Sequence, residues 1–442
     1  MRRAVLVVVA VLSAVLRPPA GEPGAPGPPL LAGAFAIDVT PPVGVPLAGY
    51  GGLGRRLLIP DLLNRHPDAF WFKPSTGVHD PIMARALVLQ SGERRVLWIA
   101  VDLVGADGEM VSELRERLRA IGLRYDAIIL SASHTHSGPG GFARSRLFAF
   151  LALDRFVPRV REHLLGGMAR AALEADRARV PARVGVGRGE VREVVRSRVG
   201  LPLDPEIGVL KVVRPDGRPI ALLWNYAIHG TVLGKENRLL SGDVTGAASL
   251  ELERALGVPA LYTNGAVGDV SPALRGWPGI RQTADALARE VLTTWRRTPV
   301  ERESGLAAVA DRILLPPPRL SLRNCFGRWV PSWLTVGVGW GFPGESEMVG
   351  VAVGGSAWVT VPGELQTRLG QAVKAEGRRL FSQAFIVGVS NDYAGYFLAA
   401  EEYARPSYIA CASLYGEGGG QIMAARATEI LRKLRDRAGE KS

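Results

Sequence analysis

Cysteine occurs only twice in the 442 residues, at Cys325 and Cys411. Two thiols exclude a disulfide-dense scaffold and a cysteine-based metal motif. They leave open one bridge formed in an oxidising compartment, or two buried inert thiols. Histidine is also scarce, with six residues, and lysine occurs six times against 48 arginines. The arginines are scattered, so the net charge of +12 is not the clustered basic face of a nucleic-acid binder. An anionic lipid surface still suits such a charge. Aromatic residues make up only 7% of the chain, and no internal repeat or low-complexity block stands out. Past residue 16 no apolar run approaches the roughly 20 residues that span a bilayer. A chain that is 47% hydrophobic and 22% charged is neither disordered, collagen-like nor a coiled coil. Its length suits one large α/β unit or two to three average domains.

The N-terminus has the form of a targeting segment. Arg2 and Arg3 precede an apolar run from Ala4 to Leu16, which is too short to span comfortably. Residues 17–31 then form a Pro/Gly linker. The expectation is a signal peptide and linker over 1–31 and an exported protein, periplasmic or secreted. The cleavage site is poorly marked, which leaves an uncleaved anchor open.

From residue 32 onward, strand-like and helix-like segments alternate. Apolar, β-branched runs predict strands over Ala84–Leu89, Val96–Leu103, Ala127–Ser131, Ile220–Ile228, Pro259–Thr263, Ala357–Val361 and Ala384–Val389. Amphipathic spacing predicts helices over Glu109–Ala120, Arg159–Ala175, Thr245–Leu256, Arg281–Thr293, Leu365–Glu376 and Gln421–Arg437. The alternating stretch from about 180 to 215 predicts antiparallel or edge strands. Together these predict an α/β fold: residues 32–442 as one large domain with a mixed, substantially parallel sheet flanked by helices.

Chemistry gathers where the apolar runs end. Ser133-His134-Thr135-His136-Ser137-Gly138-Pro139-Gly140-Gly141 follows one run, and His229-Gly230-Thr231 with Ser241-Gly242-Asp243 follows another. Gly268-Asp269-Val270-Ser271-Pro272, Pro362-Gly363-Glu364 and Asn391-Asp392-Tyr393-Ala394-Gly395-Tyr396 complete the set. Ligands of open α/β sheets sit beyond the carboxyl ends of strands, so five such loops can converge. His134 and His136, two apart on an extended chain, address one side and hence one metal or substrate. The alternative is loop histidines that cap backbone groups. Asp243 also reads as a helix N-cap, Asp269 and Ser271 as turn chemistry, and Glu364 as a first-turn acid. Residue patterns alone reach a histidine-based site, zinc being one candidate, of unknown reaction.

These motifs, with Glu401-Glu402-Tyr403 and Ser413-Leu414-Tyr415-Gly416, resemble the neutral/alkaline non-lysosomal ceramidase family in order and over nearly all of 32–420. The resemblance implies hydrolysis of N-acylsphingosine to a fatty acid and a sphingoid base by zinc-activated water, with one zinc ion per chain. By motif position it implies His134, His229, Glu364 and Tyr396 as zinc ligands, His136, Ser271 and Tyr408 as catalytic residues, and Asp243 and Asp269 in support. Ser271 is either a nucleophile or an orienting group; the lack of an adjoining His or Lys in sequence weighs against attack. Ala266 and Ala273 stand where the serine motif usually carries Asn, and Ala399-Ala400 where Thr-Thr is usual. The chain closes soon after Tyr408, so no counterpart of the family's sandwich-like C-terminal domain is expected.

Two other readings compete: a zinc amidase for a different N-acylated lipid or amino compound, and a non-catalytic lipid-binding relative. The expected partner is a lipid-like N-acyl substrate, with peripheral contact to a membrane surface and neither nucleic acid nor an obligate protein partner. Phe70-Trp71-Phe72 and the stretch from Phe326 to Pro343, with Trp329, Trp333 and Trp340, either cover the core or meet an acyl chain or membrane interface.

Overall fold

The computed structural model describes residues 28–301 and 305–439. The expected signal peptide lies outside the described residues. The predicted linker ends early, because Leu30 and Leu31 already belong to the first strand.

One order of elements recurs three times. The first unit comprises β1 (Leu30–Asp38), β2 (Met83–Ser91), β3 (Arg94–Val101), α1 (Gly108–Ala120), β4 (Ala127–Ala132) and α2 (Pro158–Arg177). The second comprises β5 (Arg183–Glu190), β6 (Glu206–Val213), β7 (Pro219–Tyr226), α3 (Asp243–Leu256), β8 (Ala260–Asn264) and α4 (Gly276–Arg297). The third comprises β9 (Leu306–Leu314), β10 (Glu345–Val353), β11 (Ser356–Thr360), α5 (Thr367–Leu380), β12 (Gln383–Val387) and α6 (Gly419–Gly439). In each unit the first three strands pair antiparallel in sequence order. A crossover helix then places the fourth strand parallel to the third. A parallel neighbour needs such a crossover, whereas hairpins suffice for the rest. Gly354 and Gly355, both at positive φ, make the two-residue turn between β10 and β11, as a tight hairpin requires.

The sheet is mixed as predicted, but it is divided into three main sheets, each with one parallel pair, rather than being one substantially parallel sheet. The apolar runs that suggested parallel strands are buried on both faces for another reason. One face of each sheet meets the other two sheets in a shared core, where Leu87, Trp98, Leu223, Val349, Trp358 and Phe385 pack. The opposite face packs against the unit's own helices: Ile99 and Leu130 on α1 and α2, Trp224 and Tyr262 on α3 and α4, Val359 and Ile386 on α5 and α6. Strand residues alternate between these environments. Among the described residues, no helix is long and apolar enough to cross a membrane.

The carboxyl ends of the parallel pairs meet. Asn391, after β12, accepts from the Leu130 amide of β4 at 2.8 Å and donates to the Ile128 carbonyl at 2.9 Å. Asn225 of β7 donates to the Ile386 carbonyl of β12 at 2.9 Å. Asn264, closing β8, donates to the Ser133 carbonyl at 3.2 Å. Three buried amides thus bind the units together where the reactive loops emerge.

Candidate active site

Each unit contributes one residue to a buried cluster. His134 follows β4, His229 follows β7 and Glu364 follows β11. His134 Nε2 lies 3.2 Å from one Glu364 oxygen and His229 Nε2 lies 2.9 Å from the other. One ligand atom from each residue fits within 4.8 Å of the other two. His134 sits at φ 63°, a conformation a non-glycine residue adopts only when its surroundings impose it. Its amide donates to the Leu103 carbonyl at 2.9 Å. Its Nδ1 donates to the Val104 carbonyl at 2.6 Å, which leaves Nε2 as a lone-pair donor toward the cluster.

Close backbone approach makes this convergence possible. Thr135 bridges Gly230, and the His136 amide donates to the Gly230 carbonyl at 2.8 Å. A Cβ on Gly230 would lie 2.6 Å from Thr135 Cα and 2.8 Å from the His134 carbonyl oxygen. The glycine of His-Gly-Thr is thus required by the approach of two loops.

Both Nε2 atoms and one Glu364 oxygen are buried without a directed hydrogen-bond partner. Buried polar atoms are seldom left so, and each such atom calls for an explanation. Two imidazoles and a carboxylate aimed at one point fit a divalent cation bound by nitrogen and oxygen. Burial pushes the Glu364 carboxyl up, but the facing imidazoles of His134 and His229 hold it well below the usual carboxylate range. Burial, then the Arg198 charge, lowers His229 to about 3. A neutral imidazole beside an ionised carboxylate is the protonation state that metal ligation requires.

His136 lies beside the cluster, its ring 5.1 Å from that of His134 and 6.2 Å from that of His229. Both of its ring nitrogens are buried and unpartnered. Burial, reinforced by His134 and His229, lowers its pKa well below the ordinary histidine value. The Tyr50 ring packs edge-on against it at 4.8 Å.

The two tyrosines of the Asn-Asp-Tyr-Ala-Gly-Tyr motif take different partners. Tyr396 pairs with Glu364 in a short parallel bridge, but its hydroxyl accepts from Arg198 Nη1 at 3.1 Å. Tyr393, not singled out beforehand, donates its hydroxyl to Glu364 at 2.6 Å. Arg198 was also missed, since nothing in its spacing separates it from 47 other arginines. It spans two expected residues, because its Nε donates to Ser271 Oγ at 2.9 Å. Among the described residues, that hydroxyl meets no base.

Tyr408 stands at the periphery, 73% exposed, its ring 6.1 Å from that of Tyr396. It opens a short helix, Tyr408–Cys411, that the Cys325–Cys411 disulfide ties to Leu322–Phe326. Asp243 is the first residue of α3 rather than its cap. Its buried carboxylate accepts from the amides of Val232, Leu233 and Val244, which fixes the segment after His229. Asp269 accepts from the Thr367 amide at 2.8 Å and from its hydroxyl at 2.6 Å. That pair ties the serine loop to the start of α5, just past Glu364. A separate cleft of about 400 Å³, lined by Glu109, Glu113, Arg115, Glu347 and Asp392, contains none of the three cluster residues.

The family profile described as "Neutral/alkaline non-lysosomal ceramidase, N-terminal" matches residues 72–286. A neutral ceramidase of Pseudomonas aeruginosa is 29% identical over 228 residues, which is 46% of this chain and 34% of that one. One from Mycobacterium tuberculosis is 26% identical over 234 residues, 46% of this chain and 36% of that one. The chain thus spans about a third of the length of the curated relatives it matches. The crystal structure of the Pseudomonas neutral ceramidase superposes with a TM-score of 0.78 at 20% identity, covering 93% of this chain and 75% of that one. A ceramidase complexed with C2 gives a TM-score of 0.77 at 19% identity. At such identities the structural likeness speaks for the fold.

Proposed function

We propose, from the premise that this chain belongs to the neutral/alkaline non-lysosomal ceramidase family, that it hydrolyses the amide of an N-acylsphingosine to a fatty acid and a sphingoid base. The observation that carries the proposal is the buried trio of His134, His229 and Glu364, in which both Nε2 atoms and one Glu364 oxygen lack a directed hydrogen-bond partner. These three would hold a zinc ion, with Tyr396 adjacent to Glu364 as the fourth candidate. Zinc in such a site supplies Lewis acidity and lowers the pKa of water towards ~7.

The protein's own groups supply the rest. His136, neutral beside the cluster and with both ring nitrogens free of protein partners, would offer its N–H to the negative charge growing on the amide oxygen, and it or a water would protonate the leaving amine. Arg198 brings a fixed positive charge to Ser271 and Tyr396, so negative charge growing on the amide oxygen meets oriented donors. Ser271 orients the substrate. Its oxygen accepts from Arg198; a Ser271→Ala variant that keeps most of the turnover would support the orienting role, and total loss would favour attack by the serine. Tyr408, exposed at the edge of the site, adds a donor once substrate covers it.

A zinc amidase acting on another N-acylated lipid keeps the same machinery with a different pocket. Ala266, where the serine motif usually carries Asn, is buried with its methyl close to Gly370 of α5. The Cys325–Cys411 disulfide suits an oxidising compartment and hence export.

The test is fatty-acid release from long-chain ceramide in detergent, before and after chelation and with zinc restored, beside a panel of other N-acyl compounds. Release that stops with chelator and returns with zinc supports the proposal. Zinc-loaded protein that leaves ceramide intact but cleaves another N-acyl substrate moves the assignment to the amidase reading.

A further inference from the structure

We infer that the apolar loops beside the candidate site form a docking surface for a lipid bilayer bearing anionic headgroups. The two aromatic clusters of the sequence part ways in the fold. Phe72 is buried and Trp71 packs edge-on against Phe150 at 5.6 Å, so the first cluster is largely packing. Trp329, Trp333 and Trp340 are 81%, 76% and 69% exposed. Water-facing proteins seldom leave three indoles so bare, and Trp prefers the headgroup level of a membrane. Across residues 319–344 there is no acidic residue, while Arg319, Arg323 and Arg328 are interleaved with the indoles. A basic, Trp-rich loop complements an anionic interface in both charge and polarity.

Two further segments extend the patch. Leu58, Ile59, Leu62 and Leu63 are all more than 70% exposed on one loop, and Phe150 and Leu151 are exposed on the turn around residue 150. Contacts join these segments to one another and to the site. The Arg56 guanidinium lies over the Phe150 ring at 4.5 Å. Phe148 packs on Phe342 at 4.7 Å, at the end of the Trp loop. The same Phe148 meets Tyr393, the residue that holds Glu364, at 5.4 Å. On the other flank the disulfide fastens Cys325 to the helix of Tyr408. The apolar patch and the buried cluster are therefore one connected surface and interior.

The experiment uses the full chain and vesicles containing no ceramide, so its outcome is independent of the hydrolytic reading. Binding is measured by co-flotation with phosphatidylcholine vesicles, with and without phosphatidylglycerol. Quenching of tryptophan emission by brominated acyl chains reports insertion. Binding should be roughly tenfold tighter with phosphatidylglycerol, with quenching by bromolipid. The exposed substitutions Trp329→Ser, Trp333→Ser and Trp340→Ser together should abolish quenching and most flotation with an unchanged melting temperature. Arg323→Gln with Arg328→Gln should remove the phosphatidylglycerol preference, and Leu58→Ser with Leu62→Ser should weaken binding through the second loop. Equal flotation of wild type and all three variants would overturn the inference. So would a concentration-dependent dimer that the triple Trp variant abolishes, which would assign the surface to a second copy of the chain.

Discussion

Arg198 and Tyr393 show how much of the site lies in residues that touch the expected ones. Arg198 holds Ser271 and Tyr396 at once, so Arg198→Ala should lower kcat by about 10²-fold, the scale of losing one preorganised donor. Metal content should stay unchanged. A variant that loses metal instead would make Arg198 structural. Tyr393→Phe removes the hydroxyl on Glu364, and loss of such an outer hydrogen bond costs about tenfold in metal affinity. Competition with a chromophoric chelator measures this without substrate. Asp243 makes a separate prediction about pH. Burial raises its carboxyl from 3.8 to about 7, although three amides point at it. The folded chain thus keeps a proton that the unfolded chain releases near pH 4. The stability this contributes is full below about pH 4 and is lost as pH rises through about 7. Asp243→Asn should flatten the fall of melting temperature between pH 4 and 7. An unchanged slope would place the titration elsewhere.

At the scale of elements, the cluster depends on how closely two strand ends approach. In Gly230→Ala the new methyl would press on the Thr135 backbone and the His134 carbonyl. A cost of about 1–3 kcal/mol follows from overpacking, with loss of metal binding as the loops part. Denaturant melts and metal analysis on the same sample test both halves. The Cys325–Cys411 bridge closes 86 positions of chain. Its removal by Cys325→Ala with Cys411→Ala should destabilise by about 2–4 kcal/mol. Elements with one strong local period were legible in the sequence: all seven predicted strands and all six predicted helices are present, within a few residues. The missed strands β1, β9 and β10 lack such a signal. β10 opens with Glu-Ser-Glu, and β9 carries Asp311-Arg312 where its end reaches solvent.

For the whole molecule, the shared core of three sheets governs stability. Trp358 packs at 5.7 Å against Trp98 of the first unit and at 4.3 Å against Phe385 of its own. Trp358→Ala should cost about 3–5 kcal/mol and shift one cooperative unfolding transition without splitting it. Two transitions would show that the units fold separately. The sequence by itself determined the elements, a family resemblance and the loops that carry the reactive side chains, because hydrophobic period and rare residues in motifs are local properties. It placed His134, His229 and Glu364 at strand ends. Only the tertiary structure decided that three units repeat, that each gives one residue to the cluster, and that Arg198 and Tyr393 complete it. Sheet pairing and side-chain contacts between distant segments depend on which buried faces meet, and sheets of unlike sequence can share one topology. That is why a threefold architecture left no repeat to read in the chain.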